Sequence, residues 1–495
     1  MAASPSQKNQ LFLGLFIHSI RLGELQYLHD AAVCVDKGGK IVAVELPCDQ
    51  EKAEDKLYPS LGWTPGDVLV TAAKDGQFFF PGFVDTHLHA PQYPNVGIFG
   101  KSTLLDWLNT YTFPMEASMA ELPRARRVYA RCVRRTLAHG TTTAAYFATI
   151  DVAATNLLAD LCLAAGQRAF VGRVCMDRLG PEYYLDASPA AAAAAARASI
   201  DHIRTIDPGF ALVSPVLTPR FAPACSAAAL AELGALRRET GLPVQTHVSE
   251  NADEVALVAR LFPGHASYAE VYDAHGLLEG GRTILAHAVH LTDAEADLVA
   301  RRRAGVAHCP CSNTALTSGE APVRWLLDKG IAVGLGTDMS GGYSPSVLEA
   351  ARQTVLVSNH LAMPAAAAGV ERAPDSHRQP PDDNERARAK LSVEEVLHLA
   401  TRGGAEVVGL SDRVGGFEAG KEWDAQLIGL AAVPDGGGEE DGGRAGAGAA
   451  DEGNVDVFGW ETWEDRVAKW VFGGDDRNVR KVWVRGRLVH SRSPS

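Results

Sequence analysis

The chain has 495 residues, of which 46% are hydrophobic and 22% are charged, and 47 Lys and Arg against 60 Asp and Glu give a net charge of −13. This acidic balance argues against a protein that binds nucleic acid or an anionic membrane, because such proteins normally carry a basic surplus. No apolar run reaches the roughly 18–20 residues that a membrane span needs. We therefore expect neither a nucleic-acid partner nor a membrane.

The N-terminal sequence and the cysteines favour an intracellular, cytoplasmic protein. The first apolar run, residues 11–17, lacks the basic flank and the cleavage site of a secretion signal. The chain has only eight cysteines, and their spacing does not suggest a disulfide framework. We expect them to be reduced thiols.

The two ends of the chain predict short strands and turns. Residues 32–35 and 40–44 flank the turn sequence Asp36-Lys37-Gly38-Gly39 and predict a hairpin. Residues 481–484 and 488–490 predict strands around an Arg-Gly-Arg turn. We expect one small composite β-sandwich domain, built from residues 1–80 and 411–495.

The middle of the chain, residues 81–410, alternates apolar segments with segments rich in Ala, Leu, Arg and Glu. This alternation predicts a parallel sheet, either an eightfold barrel or a doubly wound sheet. The predicted strands include residues 210–217, 244–247, 283–287, 306–309 and 331–337, and the predicted helices include 226–239 and 294–303.

Three stretches are interpreted as insertions without a catalytic role. The alanine run at residues 190–196 predicts a helix, and residues 364–390 predict a mobile loop. Residues 434–453 hold eight Gly and six acidic residues, a composition typical of disorder.

The strongest chemical signal is the sequence His87-Leu88-His89 at the end of an apolar run. Because side chains alternate along a strand, both imidazoles point to the same face and can share a metal ion. His247, His287 and Asp338 also end predicted strands, where barrel active sites gather. For each one alone, the alternative is a core side chain satisfied by a hydrogen bond. Five together favour a metal site.

The order and context of these residues resemble the amidohydrolase superfamily of metal-dependent hydrolases, over roughly residues 70–425. The resemblance implies an α/β fold with a (β/α)8 TIM-like barrel as the catalytic domain. Binuclear members add a carboxylated Lys, but this chain has no Lys between Lys101 and Lys329. We therefore expect one Zn²⁺ per subunit, with iron as the alternative metal. Its expected ligands are His87, His89, His247 and Asp338, with His287 beside them.

Narrower motifs resemble the guanine deaminases within that superfamily. This resemblance implies hydrolytic deamination of guanine to xanthine and ammonia, and a homodimer. Cys311 departs from the pattern, which has a polar residue such as Asn there. The motifs that carry the resemblance are residues 89–93, 105–108, 111–114, 218–221, 247–250, 308–310, 336–344 and 472–478.

The catalytic residues expected from this chemistry are Glu250, Asp338 and His287. Attack on an aromatic carbon needs an activated water, and zinc lowers the pKa of a bound water from 15.7 to about 7. Asp338 can accept the released proton. Glu250 lies three residues beyond His247 and can protonate a ring nitrogen, as the non-ligand Glu of other zinc deaminases does. The alternative for Glu250 is a carboxylate at a helix start.

Two polar side chains are expected to select the substrate. Arg220 offers rigid donors to a carbonyl oxygen such as O6 of guanine, and the Gln92 amide offers a donor and an acceptor. The alternatives are a surface salt bridge for Arg220 and a solvated loop amide for Gln92. Phe221 and Trp107 either pack on the purine or belong to the core. The full set of expected substrate-binding residues is His89, Gln92, Arg220, Phe221, His247, Glu250 and Asp338.

Two other functions stay open from the sequence. One is a related hydrolase that acts on a different aminated heterocycle, such as a pterin or a triazine. The other is a non-catalytic interaction protein built on the same barrel, a reading that does not account for the complete set of metal ligands.

Overall fold

The structure is a computed structural model that describes residues 8–363, 383–433 and 454–492. The predicted disordered segment, residues 434–453, and most of the predicted loop at residues 364–390 lie outside the described residues. The described end of that loop is partly a helix, at Asp383–Arg388, so the loop prediction is wrong there.

The strands of the described residues fall into two groups, one at the ends of the chain and one in its middle. They are β1 (Asn9–Arg21), β2 (Glu24–Val35), β3 (Ile41–Glu45), β4 (Val68–Ala72), β5 (Gln77–Pro81), β6 (Phe83–His89), β7 (Thr141–Phe147), β8 (Arg168–Gly172), β9 (Val174–Cys175), β10 (Val213–Pro215), β11 (Thr218–Pro219), β12 (Val244–Val248), β13 (Thr283–His287), β14 (Gly305–His308), β15 (Val333–Leu335), β16 (Ala425–Gly429), β17 (Ala431–Ala432), β18 (Asp456–Val457), β19 (Val479–Val484) and β20 (Arg487–Ser491).

The α-helices lie mainly between the middle strands, and short 3₁₀ and π segments extend several of them. They are α1 (Gln50–Lys52), α2 (Tyr58–Leu61), α3 (Leu104–Trp107), α4 (Phe113–Ala117), α5 (Leu122–Ala138), α6 (Val152–Ala165), α7 (Pro189–Ile206), α8 (Ala227–Thr240), α9 (Ala252–Leu261), α10 (Tyr268–Ala274), α11 (Asp293–Arg302), α12 (Pro310–Ala315), α13 (Val323–Asp328), α14 (Val347–Ala362), α15 (Asp383–Arg388), α16 (Val393–His398), α17 (Gly404–Val407) and α18 (Trp463–Gly473).

Strands from both ends of the chain form one mixed sheet, in the order β20-β19-β16-β5-β1-β2-β3, with β4 beside β1. The predicted pairing of the two termini is therefore confirmed, as are the two antiparallel hairpins β2–β3 and β19–β20. The first strands are longer than predicted, with 13 residues in β1. Buried aromatic rings pack together against this sheet. Phe12 stacks on Trp423 with ring centroids 4.2 Å apart.

The middle strands are parallel and alternate with helices, as predicted. β6, β7, β8 and β10 form one four-stranded sheet, and β12 to β15 form another. The two sheets meet at two seams. At one, the Leu217 amide donates to the carbonyl oxygen of Pro243 at 2.9 Å, and at the other the Asp338 amide donates to that of His87 at 2.9 Å. The second seam brings the last strand of the series beside the first.

Helix boundaries follow local sequence signals. Helix α8 begins after Ser226, whose hydroxyl accepts a hydrogen bond from the Ala229 amide, and ends at Gly241, which has a φ of 65°. A side-chain oxygen at the helix start and a left-handed glycine at its end satisfy backbone groups that the helix leaves unpaired. The alanine run begins α7 after the Ser188 cap, which confirms the predicted helix.

A buried ion pair joins the middle strands to the terminal sheet. Arg168, at the start of β8, contacts both carboxylate oxygens of Asp424, at 3.0 and 3.2 Å, and one of Glu422, at 2.6 Å. All three side chains are buried. Because an unpartnered buried charge is costly, the three charges depend on one another.

Replacing Arg168→Ala is expected to lower the free energy of unfolding by about 3 kcal/mol, since Asp424 would stay buried without its counter-charge, whereas Glu422 would keep Arg413 and Arg485. Urea unfolding followed by tryptophan fluorescence measures the loss. Arg197→Ala is the matched control, because Arg197 pairs with Glu239 at the exposed surface and should leave the midpoint unchanged. Equal effects of the two substitutions would contradict the role of Arg168 as a link between the sheets.

Candidate active site

The five predicted metal-binding residues meet at the carboxyl ends of the middle strands. His87 and His89 lie on β6, His247 on β12, His287 at the end of β13, and Asp338 three residues after β15. The candidate ligand atoms of His87, His247 and His287 lie within 4.8 Å of one another, as do those of His87, His89 and Asp338. His287 and Asp338 have left-handed φ angles of 75° and 45°, a strained conformation that clusters at functional sites.

The backbone of β6 holds Asp338 next to the histidine pair. The Asp338 amide donates to the carbonyl oxygen of His87, and the His89 amide donates to that of Met339, both at 2.9 Å. Gly336 permits this approach, because a Cβ at that position would lie 2.9 Å from the Cβ of His87. Side-chain oxygen Oδ1 of Asp338 consequently lies 3.2 Å from Nε2 of His87 and 3.3 Å from Nε2 of His89.

Two histidines are oriented through their Nδ1 atoms. His247 Nδ1 lies 2.6 Å from the carbonyl oxygen of Arg220, which can only accept, so Nδ1 donates and Nε2 keeps its lone pair. His287 Nδ1 lies 2.8 Å from Oδ1 of Asn313, and the same logic directs its Nε2 to the cluster. Such outer contacts fix the tautomer of metal-binding imidazoles.

The protonation states suit a cation at the centre of the cluster. Burial lowers the pKa of His87 to about 4 and holds that of His247 well below its usual value. Burial acts to raise the pKa of Asp338, but the His87 and His89 imidazoles, in contact at 3.2 and 3.3 Å, outweigh it and hold the pKa well below its usual range. Neutral imidazoles and an ionised carboxylate are the forms that bind metal ions.

The donor atoms themselves fit a metal ion. Nε2 of His87 and Nε2 of His287 are fully buried and make no hydrogen bond with any residue in the described ranges. Buried polar atoms are normally satisfied, so the two nitrogens require another partner. Together with Asp338 they form a nitrogen-and-oxygen set typical of a divalent transition metal.

A cavity of about 370 Å³ opens beside the cluster. Every residue predicted to bind substrate lines it, and so does Trp107. The lining residues are His89, Gln92, Leu104, Trp107, Leu108, Arg220, Phe221, His247, Glu250, His287, Leu316 and Asp338.

Glu250 faces this cavity and does not cap the following helix. The cap of α9 is Asn251, and the Glu250 amide donates to the carboxylate of Glu254 at 2.9 Å. The Glu250 side chain instead lies with Oε2 3.4 Å from Nε2 of His287, and it accepts a hydrogen bond from the Ser318 hydroxyl at 3.4 Å. The alternative of a helix-start carboxylate is therefore wrong.

Burial raises the pKa of Glu250 well above its usual value, and the nearby negative charges of Glu254 and Asp338 raise it further. A carboxyl group in this environment favours its neutral form. It can therefore hold a proton beside a cluster whose other carboxylate, Asp338, is ionised.

Glu116 is a buried acid that was not predicted from the sequence, and it binds two residues that line the cavity, Gln92 and Arg220. Its carboxylate binds Arg220 through two contacts of 2.6 and 3.1 Å. It also accepts hydrogen bonds from the Gln92 amide and the Tyr184 hydroxyl, each at 2.7 Å. The salt bridge of Arg220 is thus buried and not at the surface, and Gln92, with 1% of its surface exposed, is not a solvated loop amide. The signal in the sequence was a lone acid in the otherwise uncharged segment 107–120.

The neighbouring cysteines lie outside the metal cluster. His308 ends β14, and Cys309 and Cys311 follow it; all three are buried, but they do not join either candidate ligand group. All eight cysteines of the chain are free and buried. Among the described residues, no helix combines the length and apolar character that a membrane crossing requires.

Comparison with known proteins places this geometry in a family. The amidohydrolase family matches residues 78–489. The chain belongs to the amidohydrolase family. A similar relative is a probable guanine deaminase of Schizosaccharomyces pombe, 44% identical over 97% of this chain and 83% of the relative. The guanine deaminase of Homo sapiens is 37% identical over 97% of this chain and 96% of its own length.

A solved amidohydrolase structure extends the comparison to three dimensions. The guanine deaminase of C. acetobutylicum, determined with guanine in its active site, has a TM-score of 0.79 and 30% identity. The match covers 97% of this chain and 100% of that one. The likeness therefore includes both the middle strands and the terminal sheet.

Proposed function

We propose that this chain catalyses the hydrolytic deamination of guanine to xanthine and ammonia, with one Zn²⁺ ion. The observation that carries the proposal is a single cavity lined by the metal-binding cluster, Glu250, Arg220 and Gln92. The names of the relatives that are 44% and 37% identical support the same reaction.

The proposed ion is held by His87, His89, His247 and Asp338, with His287 beside them. A single ion is favoured because the chain has no Lys between Lys101 and Lys329 that could bridge a second one. When bound, zinc supplies a water whose pKa is close to 7 and which can attack the amino-bearing carbon. Iron accepts the same ligand types and is the alternative metal.

The protons of the reaction are moved by two carboxyl groups. Ionised Asp338 accepts a proton from the attacking water at Oδ2, which lies 3.8 Å from Nε2 of His287. Neutral Glu250 donates its proton to the ring nitrogen beside the attacked carbon and so offsets the developing negative charge. The amino group then receives the proton held by Asp338 and leaves as ammonia. The added oxygen gives its remaining proton back to Glu250 and stays on the ring as the new carbonyl of xanthine, so both carboxyl groups return to their starting forms.

The opposite wall selects the substrate. Arg220 donates to the carbonyl oxygen O6 of guanine, and Gln92 binds the adjoining ring edge. Adenine carries an amino group at that position and would leave the buried Arg220 donors unpaired, which is the costly kind of mismatch. Phe221 and Trp107 line the cavity and pack on the purine faces.

The proposed architecture is a closed (β/α)8 barrel over residues 81–410, with the terminal sheet as a β-sandwich domain from residues 1–80 and 411–495. The two hydrogen-bonded seams between the middle sheets support closure of the barrel. We further propose a cytoplasmic homodimer, on the resemblance to the guanine deaminases and on the free thiols.

Ammonia release by the purified protein tests the substrate directly. Guanine should be turned over at least 100-fold more efficiently than adenine, cytosine or aminotriazines, because these rings lack its order of carbonyl, ring N–H and amino-bearing carbon. Pterins share that order and differ from guanine in the second ring, so they are assayed alongside it. Turnover of a pterin or triazine without turnover of guanine would replace this proposal with a different aminohydrolase. A protein with neither metal nor activity would indicate a non-catalytic role.

Glu250→Gln should retain the metal and lose about 100- to 10,000-fold in kcat, because an amide cannot supply the proton. Metal analysis and steady-state kinetics on the same sample measure both properties. Glu295→Gln is the matched control, since Glu295 is also buried but caps α11 away from the cavity. Wild-type turnover by the Glu250 variant would exclude its proton-transfer role.

A further inference from the structure

The carboxylate of Glu116 accepts four hydrogen bonds from three side chains. Oε1 accepts from Gln92 Nε2 at 2.7 Å and Arg220 Nη2 at 3.1 Å, and Oε2 accepts from Arg220 Nη1 at 2.6 Å and Tyr184 at 2.7 Å. A carboxylate has about four lone-pair sites, so none is left for a ligand. Glu116 is 0% exposed and does not line the cavity, whereas Gln92 and Arg220 do.

The contact with Glu116 settles which way the Gln92 amide faces. An ionised carboxylate can only accept, so the NH₂ group of Gln92 must face Glu116. Oε1 accepts a hydrogen bond from the Ser340 hydroxyl at 3.4 Å and, as a carbonyl oxygen with two lone pairs, can accept one more from a ligand. Gln92 consequently presents an acceptor to the cavity, although a free amide could present either group.

The contact with Glu116 also fixes the orientation of the planar Arg220 guanidinium group, which can only donate hydrogen bonds. Its two terminal nitrogens are both held by Glu116, and its guanidinium carbon lies 5.1 Å from the centre of the Phe113 ring. The remaining N–H groups are left for a ligand. Burial acts to raise the pKa of Glu116, but the charge of Arg220 and the hydrogen bonds from Arg220 and Tyr184 together outweigh it and lower the pKa, so both partners are charged.

We infer that Glu116 is a positioning residue that sets the hydrogen-bond polarity of the cavity wall, with Arg220 as donor and Gln92 as acceptor. This pair matches a ring edge that carries a carbonyl beside an N–H, as in guanine. The same pair does not match an amidine edge, which carries an amino group beside an unprotonated ring nitrogen. The inference rests on the proposed function and adds to it the residue that gives the wall its selectivity.

The test compares guanine with 2,6-diaminopurine, which keeps the same 2-amino group but has an amidine edge. In Glu116→Gln the amide at position 116 can donate or accept, so Gln92 is free to turn, and Arg220 loses its counter-charge. The KM for guanine should rise 10- to 100-fold. The Ki of 2,6-diaminopurine against guanine turnover should stay constant or fall, and this constant is measurable whether the compound is turned over or only binds.

The ratio of the KM for guanine to the Ki of 2,6-diaminopurine distinguishes a positioning role of Glu116 from a purely structural role. A purely structural role of Glu116 would change both constants by the same factor or neither, and either result would overturn the inference. Asp186→Asn is the matched control, because Asp186 forms a buried ion pair with Arg173 outside the cavity. It should lower thermal stability and leave the ratio unchanged.

Glu116→Asp keeps the inference testable if Glu116→Gln does not fold. The shorter carboxylate keeps the charge for Arg220 but is one methylene too short to hold Gln92 as well, so the ratio should rise by a smaller factor. An unchanged ratio in this folded variant would also overturn the inference. Wild-type protein that releases no ammonia from guanine would instead refute the proposed function, so the two failures are distinguishable.

Discussion

The cost of burying ionisable groups without partners governs the cavity and the elements around it. Four imidazoles and an aspartate meet there and are all buried, and the candidate ligand atoms within each of the two groups lie within 4.8 Å of one another. Burial favours the neutral forms of His87 and His247, whose lone pairs can bind a metal ion. The single divalent cation that we propose would bind at this cluster. The parallel strands supply the required precision, because their carboxyl ends meet at one edge.

Three carboxyl groups and one arginine determine the other charges in and around the cavity. Asp338 is ionised because the histidines surround it, and Glu116 is ionised because Arg220 binds it from two sides. Glu250 contacts no Arg or Lys side chain among the described residues, and this explains why burial favours its neutral form. The cavity is therefore lined by a carboxyl group that favours its neutral form, next to the metal-binding cluster, and by Arg220 and Gln92, which both contact Glu116. This distribution of charge suits the proposed deamination.

The sequence predicted features whose signal is local. The His-x-His pair, the histidines at the ends of β12 and β13 and the alternation of strands and helices are each contained in a few consecutive residues. Glu116 and Asn313 were missed because their partners Arg220 and His287 lie 104 and 26 residues away, and only the tertiary fold brings them together. The alternative of a surface salt bridge for Arg220 was wrong for the same reason. Arg220 does form a salt bridge, but the burial of that salt bridge depends on α4.

Anomalous X-ray diffraction at wavelengths on either side of the zinc absorption edge tests the central claim most directly. We expect one zinc peak per chain, with nitrogen ligands from His87, His89 and His247 at about 2.0–2.1 Å and an oxygen of Asp338 at about 2.0–2.2 Å. A peak at another site, two peaks within the cluster, or a fully loaded protein without metal between these side chains would contradict it.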